Sequence, residues 1–344
     1  MAYQMSASLP PAPPEFFDAA GQPRIGAYHG STATIDLRPR LGGGLRGRVR
    51  ELLTLKRWVW GGIATPDVFV GFALVDAGLA ANGFCYAVDL RSGDRVADIS
   101  VLGLPGALRL SDRPGDGLSA NLSASGTKMR VYRPRGTFSI QVDIRSGDFA
   151  LEALLDVAAA PDALSVLMPV KNGDLDFTQK TTLMPSAGTV RVGTRSWSLA
   201  SGFGGVDFTH GLFARLTAWR WGFALGRTDD GTPVAFNLAD GISGPGASEN
   251  AVWIDRTLAP VGPARFIFDA KHLDAPWQVQ TDDGAVDLRF APKGMHREER
   301  DYVVLQSHFA QIAGVFSGTI KGPGGQVHKV SSLPGVAEDQ RVLW

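Results

Sequence analysis

One cysteine, Cys85, stands in 344 residues, so no intrachain disulfide framework and no cysteine-built zinc site can be assembled. Its setting, GFCYAVDL, is apolar and strand-like, which marks a buried, inert thiol. Net charge is missing as well: 34 Lys and Arg balance 34 Asp and Glu. That excludes nucleic acid as the main partner, because duplex binding needs a basic footprint. No uninterrupted apolar run approaches the ~20 residues of a transmembrane helix. The N-terminal stretch MAYQMSASLPPAPPEFF has neither a basic n-region nor an apolar h-region, so no signal peptide is expected and the cytoplasm is the expected compartment.

The usual catalytic signatures are absent too. There is no His-Glu-x-x-His, no Gly-x-Ser-x-Gly elbow, and no Gly-x-Gly-x-x-Gly between a strand and a helix. The glycine run in RPRLGGGLRGRVRELLTLKRW, residues 38–58, lacks the Gly-Lys-Ser/Thr ending of a phosphate loop. It reads as a solvated basic loop leading into a short helix over residues 48–56. Six histidines (His29, His210, His272, His296, His308 and His328) show no metal-ligand spacing, although ligands from separate strands could still converge. No metal and no other cofactor is expected.

What the chain does hold is turn chemistry: 42 glycines and 21 prolines spread along its length. From Trp58 onward, short β-branched or aromatic runs alternate with Gly, Pro, Asn and Asp. VDLRSGD at 88–94 and VDIRSGD at 142–148 nearly repeat each other, as do RTDDGTP at 227–233 and QTDDGAVDL at 280–288. In each the glycine supplies the positive φ of a hairpin turn, and neither Asp-Asp-Gly stretch has the distant glutamate of an EF-hand. The expectation is an all-β chain with little helix, built of two antiparallel barrels in tandem. An extended segment, residues 1–20, precedes a first barrel over 21–180 and a second over 181–344. The break falls in the neighbourhood of residues 171–193, where turn residues cluster and the pattern restarts.

The stretch DFTHGLFARLTAWRWG, residues 207–222, places Trp219 and Trp221 on one face of a strand. The other face is bare except for Arg220. Folding back at Asp229–Gly231 brings Arg220 opposite Asp240; a two-residue loop would put Trp221 there instead. Arg220 then either ties to Asp240 inside a barrel or reaches into a cavity left by the small residues. Asn237, in VAFNL, needs partners for its amide in an apolar strand. Glu249 and Asn250 stand at the mouth of the next strand, where burial would raise the pKa of an acid. In YVVLQSHFAQ, His308 is a proton-transfer candidate and Gln311 follows at the strand's end. Trp58, sharing a face with Trp60, and His210, within the stretch above, complete the candidates for a pocket lining.

Several strings together resemble a known family. They are KRWVWGGIATPDVFVGFALVDAG, TAWRWG, FNLADGISGPGASENAVWIDRTL, SHFAQIAGVFSGTI and the ending LPGVAEDQRVLW. In this order, from about Arg24 to the end, they resemble the bacterial family of domain of unknown function 2804. That family is distantly similar to the carotenoid hydratase and tocopherol cyclase-like proteins. The resemblance implies two lipocalin-like barrels in tandem and acid-catalysed hydration, cyclisation or rearrangement of apolar molecules.

Two readings follow. One is a cofactor-free lyase or isomerase acting on a hydrophobic small molecule in a barrel or in the cleft between barrels. Asp240 or Glu249 would be the acid, with His308 as relay and Arg220 as orienter; if Arg220 pairs with Asp240, the assignment shifts to Glu249 or His308. Trp219, Trp221 and Trp58 would line the pocket, with Asn237, Asn250, Gln311 and His210 as polar contacts. The other reading is a carrier for an apolar, lipid-like ligand. A carboxylate of raised pKa facing the cavity separates them. A homodimer is left open.

Overall fold

The computed structural model describes residues 8–171, 173–302 and 305–344. Strand takes up 60% and helix 5% of it, in two curled antiparallel sheets: a nearly closed barrel followed by a half-barrel. The expected all-β tandem is therefore present. Of the extended segment expected over residues 1–20, residues 1–7 lie outside the described residues. The helix runs Gly44–Thr54 rather than over 48–56.

The first sheet has fourteen strands, and Leu55–Ala64 pairs in it with Phe203–Leu212, which in turn pairs with Leu175–Val192. The second has nine; its first strand, Leu216–Arg227, pairs with its last, Val327–Leu343. The chain thus leaves one sheet at Leu212 and enters the next at Leu216. This differs from the division expected near residue 180. The turn residues clustered there build hairpins inside the first sheet: Gly173 donates its N–H to Val170, and Gly193 closes a turn at positive φ. Asn172, within that cluster, lies outside the described residues.

The repeated Ser-Gly-Asp and Asp-Asp-Gly stretches all form hairpins, with Gly93, Gly147, Gly231 and Gly284 at φ between 57° and 87°. At the third of them the three-residue loop is the one adopted, and Arg220 stands opposite Asp240.

Three apolar cores follow from strands buried on both faces. Along Leu55–Ala64, Val59 and Ile63 point into the first barrel, while Trp60 and Ala64 belong to a layer between the sheets. Along Leu216–Arg227, Trp221, Phe223 and Leu225 enter that same layer, while Ala224 faces the half-barrel interior. Double burial explains why these strands read as nearly continuous apolar runs rather than clean alternation. The sheets approach so closely that a Cβ on Gly205 would lie 2.4 Å from the Phe223 ring. Only glycine fits there.

Candidate active site

The site lies in the layer between the sheets and is made by strand periodicity. Asp176, Thr178 and Lys180 alternate along one strand, so all three point to the same face. The neighbouring strand sets Asp207 opposite Lys180 and Thr209 opposite Thr178. Next to it, Trp58 stands opposite Thr209 and Trp60 opposite Asp207. The second sheet answers with a row of its own. Trp221, Glu338, Gln311 and His296 lie side by side on four adjacent strands, and Trp219, Gln340 and Phe309 form the next row.

Between the two faces is a cavity of about 150 Å³ whose lining includes the four tryptophans, Phe84, Phe309 and Trp344. A cavity of that volume takes a benzene-sized group. It reaches solvent beside Ala80, Asn82, Leu102 and Ser307, lining residues that are not buried.

Lys180 forms the polar floor. Its Nζ lies 2.8 Å from Asp207 Oδ1 and 2.8 Å from Glu249 Oε2, and all three residues are buried. Burial works against the ammonium, but the two carboxylates outweigh it and hold its pKa above the ordinary lysine value. Thr178 donates to Asp207 at 2.9 Å and Trp58 Nε1 at 3.4 Å. Glu249 arrives on the loop before strand Ala251–Ile254, pinned by Asn237. The Asn237 amide donates to its backbone oxygen at 2.9 Å and its Oε2 at 3.3 Å, and accepts from Trp221 Nε1 at 2.9 Å.

Glu338 occupies the opposite wall. Trp219 Nε1 donates to its Oε1 at 2.8 Å, and Gln311 Nε2 to its Oε2 at 2.7 Å. The Gln311 carbonyl is held by Trp60 at 3.0 Å and Tyr86 at 2.9 Å, which fixes its amide orientation. Burial pushes the Glu338 carboxyl up to about 7, against the lowering effect of its two donors. The Asp176 carboxyl is also raised well above its ordinary value, by burial and by the charge of Glu249, and its Oδ1 has no hydrogen-bond partner among the described residues. The cavity lining therefore brings together one ammonium held by two carboxylates, two acids, Asp176 and Glu338, whose pKa is raised by burial, and Glu298.

The residues singled out in the sequence divide sharply. Glu249, Trp58, Trp219, Trp221 and Gln311 line the cavity, and Asn237 supports it from beneath. Asn250 is buried but structural: its amide accepts from Ala239 N at 2.7 Å and donates to Gly262 O at 3.3 Å. Four others are elsewhere, each for reasons of strand parity. Arg220 alternates with the tryptophans and faces out, 48% exposed, 3.3 Å from Asp339 and 3.9 Å from Asp240. Asp240 shares that outer face, 46% exposed, so this pair is no tie inside a barrel. His308 is exposed, on the opposite face from Phe309 and Gln311. His210 points into the first barrel, accepting from Leu37 N at 3.5 Å. Burial and the nearby Arg57 push its pKa down to about 3.

Lys180, Asp207, Asp176 and Glu338 supply charged and acidic groups to the cavity in their place, and Trp60 joins its aromatic wall. A signal for the first three was present: LDFTQK and VDFTHG both carry Asp-Phe-Thr, polar at alternate positions within apolar strands. Among the described residues no group of three or more His, Cys, Asp or Glu is arranged to hold a metal ion.

Fold and site together define a double lipocalin-like β protein with an acid-lined, tryptophan-walled cavity between its sheets. The chain belongs to the family described as domain of unknown function (DUF2804), whose model matches residues 18–344. No curated protein matches it. Among solved structures it is similar to kievitone hydratase from Nectria haematococca, at 12% identity, covering 93% of this chain and 98% of that one with a TM-score of 0.49. It is also similar to CghA, at 9% identity, covering 85% and 88% with a TM-score of 0.39.

Proposed function

We propose that the protein is an acid–base lyase or isomerase, hydratase- or cyclase-like, that works without a cofactor on a hydrophobic small molecule held between the sheets. The observation that carries this reading is Glu338, an acid with a pKa of about 7 that faces the tryptophan-walled cavity. A carrier has no use for such a group, whereas a general acid functions best near the operating pH. Glu338 gives its proton to one carbon of an unsaturated substrate, and positive charge develops on the neighbouring carbon. The faces of the surrounding tryptophans attract that charge by about 0.5–2 kcal/mol each, and the carboxylates of Asp207 and Glu249 add to the field. In a hydration, water then attacks the cationic carbon and its surplus proton returns to Glu338. In an isomerisation, a neighbouring C–H proton returns instead and the double bond shifts. Either cycle leaves the enzyme as it began.

The test compares the wild type with Glu338→Gln. Both are incubated in deuterated water with a panel of unsaturated apolar compounds of one or two rings, and the products are read by mass spectrometry. The wild type should add water or exchange a hydrogen for deuterium; the variant should bind the same compounds, seen by native mass spectrometry, without labelling them. Equal labelling by both proteins removes Glu338 from the mechanism. Binding by both with labelling by neither establishes the carrier instead.

A further inference from the structure

Exposed apolar side chains gather at the open end of the cavity. In the helix Gly44–Thr54, Leu45, Val49, Leu52 and Leu53 are exposed by 79, 47, 43 and 43%, and the helix buries only Gly47. At about 100° per residue the four fall within one arc of roughly 100°. Arg46 and Arg48 border that arc on its two sides, with Glu51 opposite. Neither arginine has a carboxylate partner among the described residues. This is an amphipathic helix with its apolar stripe turned to solvent.

The stripe continues toward the cavity. The turn after strand Val68–Asp76 packs on the helix's last turn, where a Cβ on Gly78 would lie 2.2 Å from the Leu52 carbonyl oxygen. Leu79 in that turn is 39% exposed, and its neighbours Ala77 and Ala80 line the cavity. Leu102 both lines the cavity and is 46% exposed, and Leu104 is 82% exposed. Strand pairing puts all of these at one end of the barrel: Arg57 pairs with Asp76, Asp76 with Ala81, and Ala81 with Gly103.

We propose that this face docks on an anionic lipid bilayer. The helix lies in the interface, its leucines among the upper acyl chains and its arginines at the level of the phosphates, with the open end of the cavity turned toward the membrane. Charge complementarity selects this occupant. The chain as a whole is neutral, yet this helix carries three arginines against one glutamate, and the two arginines that flank the apolar arc have no carboxylate partner among the described residues. An apolar face bordered by free cations is the pattern of an interfacial helix. Eleven residues span only about 16 Å, half of a ~30 Å hydrocarbon core, so the helix lies in the interface rather than crossing it. Docking rests on this geometry alone; uptake of an apolar substrate from the bilayer rests also on the proposed function.

The experiment is sedimentation of the full-length protein with vesicles of phosphatidylcholine alone, or of phosphatidylcholine mixed with phosphatidylglycerol. The wild type should bind the phosphatidylglycerol vesicles and ignore the neutral ones. Arg46→Gln/Arg48→Gln should bind them roughly 30-fold more weakly, and Leu45→Gln/Val49→Gln should lose most binding, with thermal unfolding unchanged in both. Failure of the wild type to bind anionic vesicles overturns the proposal. So does equal binding of both vesicle types, binding that survives both double substitutions, or capture of an acidic protein by the helix in place of lipid. The two readings fail separately: Glu338→Gln keeps vesicle binding, and the helix variants keep activity on detergent-dispersed substrate.

Discussion

Lys180→Met removes the one ammonium in the cavity floor among the described residues and keeps nearly the same volume. The oxygens of Asp207 and Glu249 are each 2.8 Å from Nζ, so they lie no further than about twice that apart. At an effective dielectric of ~20, two carboxylates at that spacing repel by about 3 kcal/mol. Breaking a buried ion pair by deleting one partner costs about 3–5 kcal/mol in general, and the two figures agree. With an unfolding entropy of ~2.1 cal/mol/K per residue over 344 residues, a loss of ~4 kcal/mol lowers Tm by about 6 °C. The loss should shrink as pH falls, because a proton on either carboxyl ends the repulsion. Differential scanning calorimetry of parent and variant at pH 5, 7 and 8.5 reads both effects. A Tm within about 1 °C of the parent at pH 8.5 would refute the reasoning and mean that Lys180 is not the tie. Arg220→Met is the built-in contrast. That pair is half exposed on the outer face, and exposed pairs contribute about 0–1 kcal/mol, so its Tm should hardly move.

Three further outcomes are expected. Activity in kcat/KM should be level below neutrality and fall as pH rises through about 7, as Glu338 loses its proton; a profile flat to pH 9 removes it as the acid. His296, clasped between Asp98 at 2.6 Å and Glu298 at 3.6 Å, joins the second sheet to the first. Burial opposes its charge, but these carboxylates raise its pKa above 6.5. Its contribution to stability is therefore full below pH 6.5 and lost as pH rises through the folded value, so the deficit of His296→Gln in urea unfolding should be largest at pH 6 and vanish at high pH. Gly205→Ala should cost about 1–3 kcal/mol by overpacking against Phe223; unfolding identical to the parent would mean that the sheets are free to separate there.

The fold was legible because turns announce themselves. Four glycine-bearing hairpins were visible as strings, and all four form. The line between sheets was not legible, because the turn residues at 171–193 look alike whether the next strand stays in the same sheet or starts another. The site was half legible, and the error has one cause. Alternation assigns residues to two faces but does not say which face meets the second sheet. Trp219 and Trp221 were separated correctly from Arg220, yet the arginine was given the interior because a cation among small residues looks enclosed. His308 was judged by its chemistry, while its parity with respect to Phe309 and Gln311 placed it outside. Glu338 is not legible in the sequence because GVAEDQRVL puts three charged residues within four positions and reads as solvated. Only its pairing beside Trp221 and Gln311 shows that the strand turns Glu338 inward and Asp339 outward.

That pairing also explains how one cavity can hold acids in different states. The first sheet supplies a cation at Lys180, so the carboxylates beside it remain paired and serve to hold charge. The second sheet supplies only neutral donors, Trp219 and Gln311, to Glu338, and neutral donors do not offset the cost of burying a full charge. Glu338 and Lys180 therefore face each other because they belong to different sheets, and Glu249 reaches Lys180 from the loop before Ala251–Ile254. The site is assembled only while the two faces stay together, which is why the glycine at 205, the His296 clasp and the hydrogen bonds that Glu298 accepts from Asn82 and Ser100 at 3.0 and 2.7 Å matter to it as much as its own side chains. A substitution that loosens this seam should lower the pKa of Glu338 by admitting water before it unfolds either sheet.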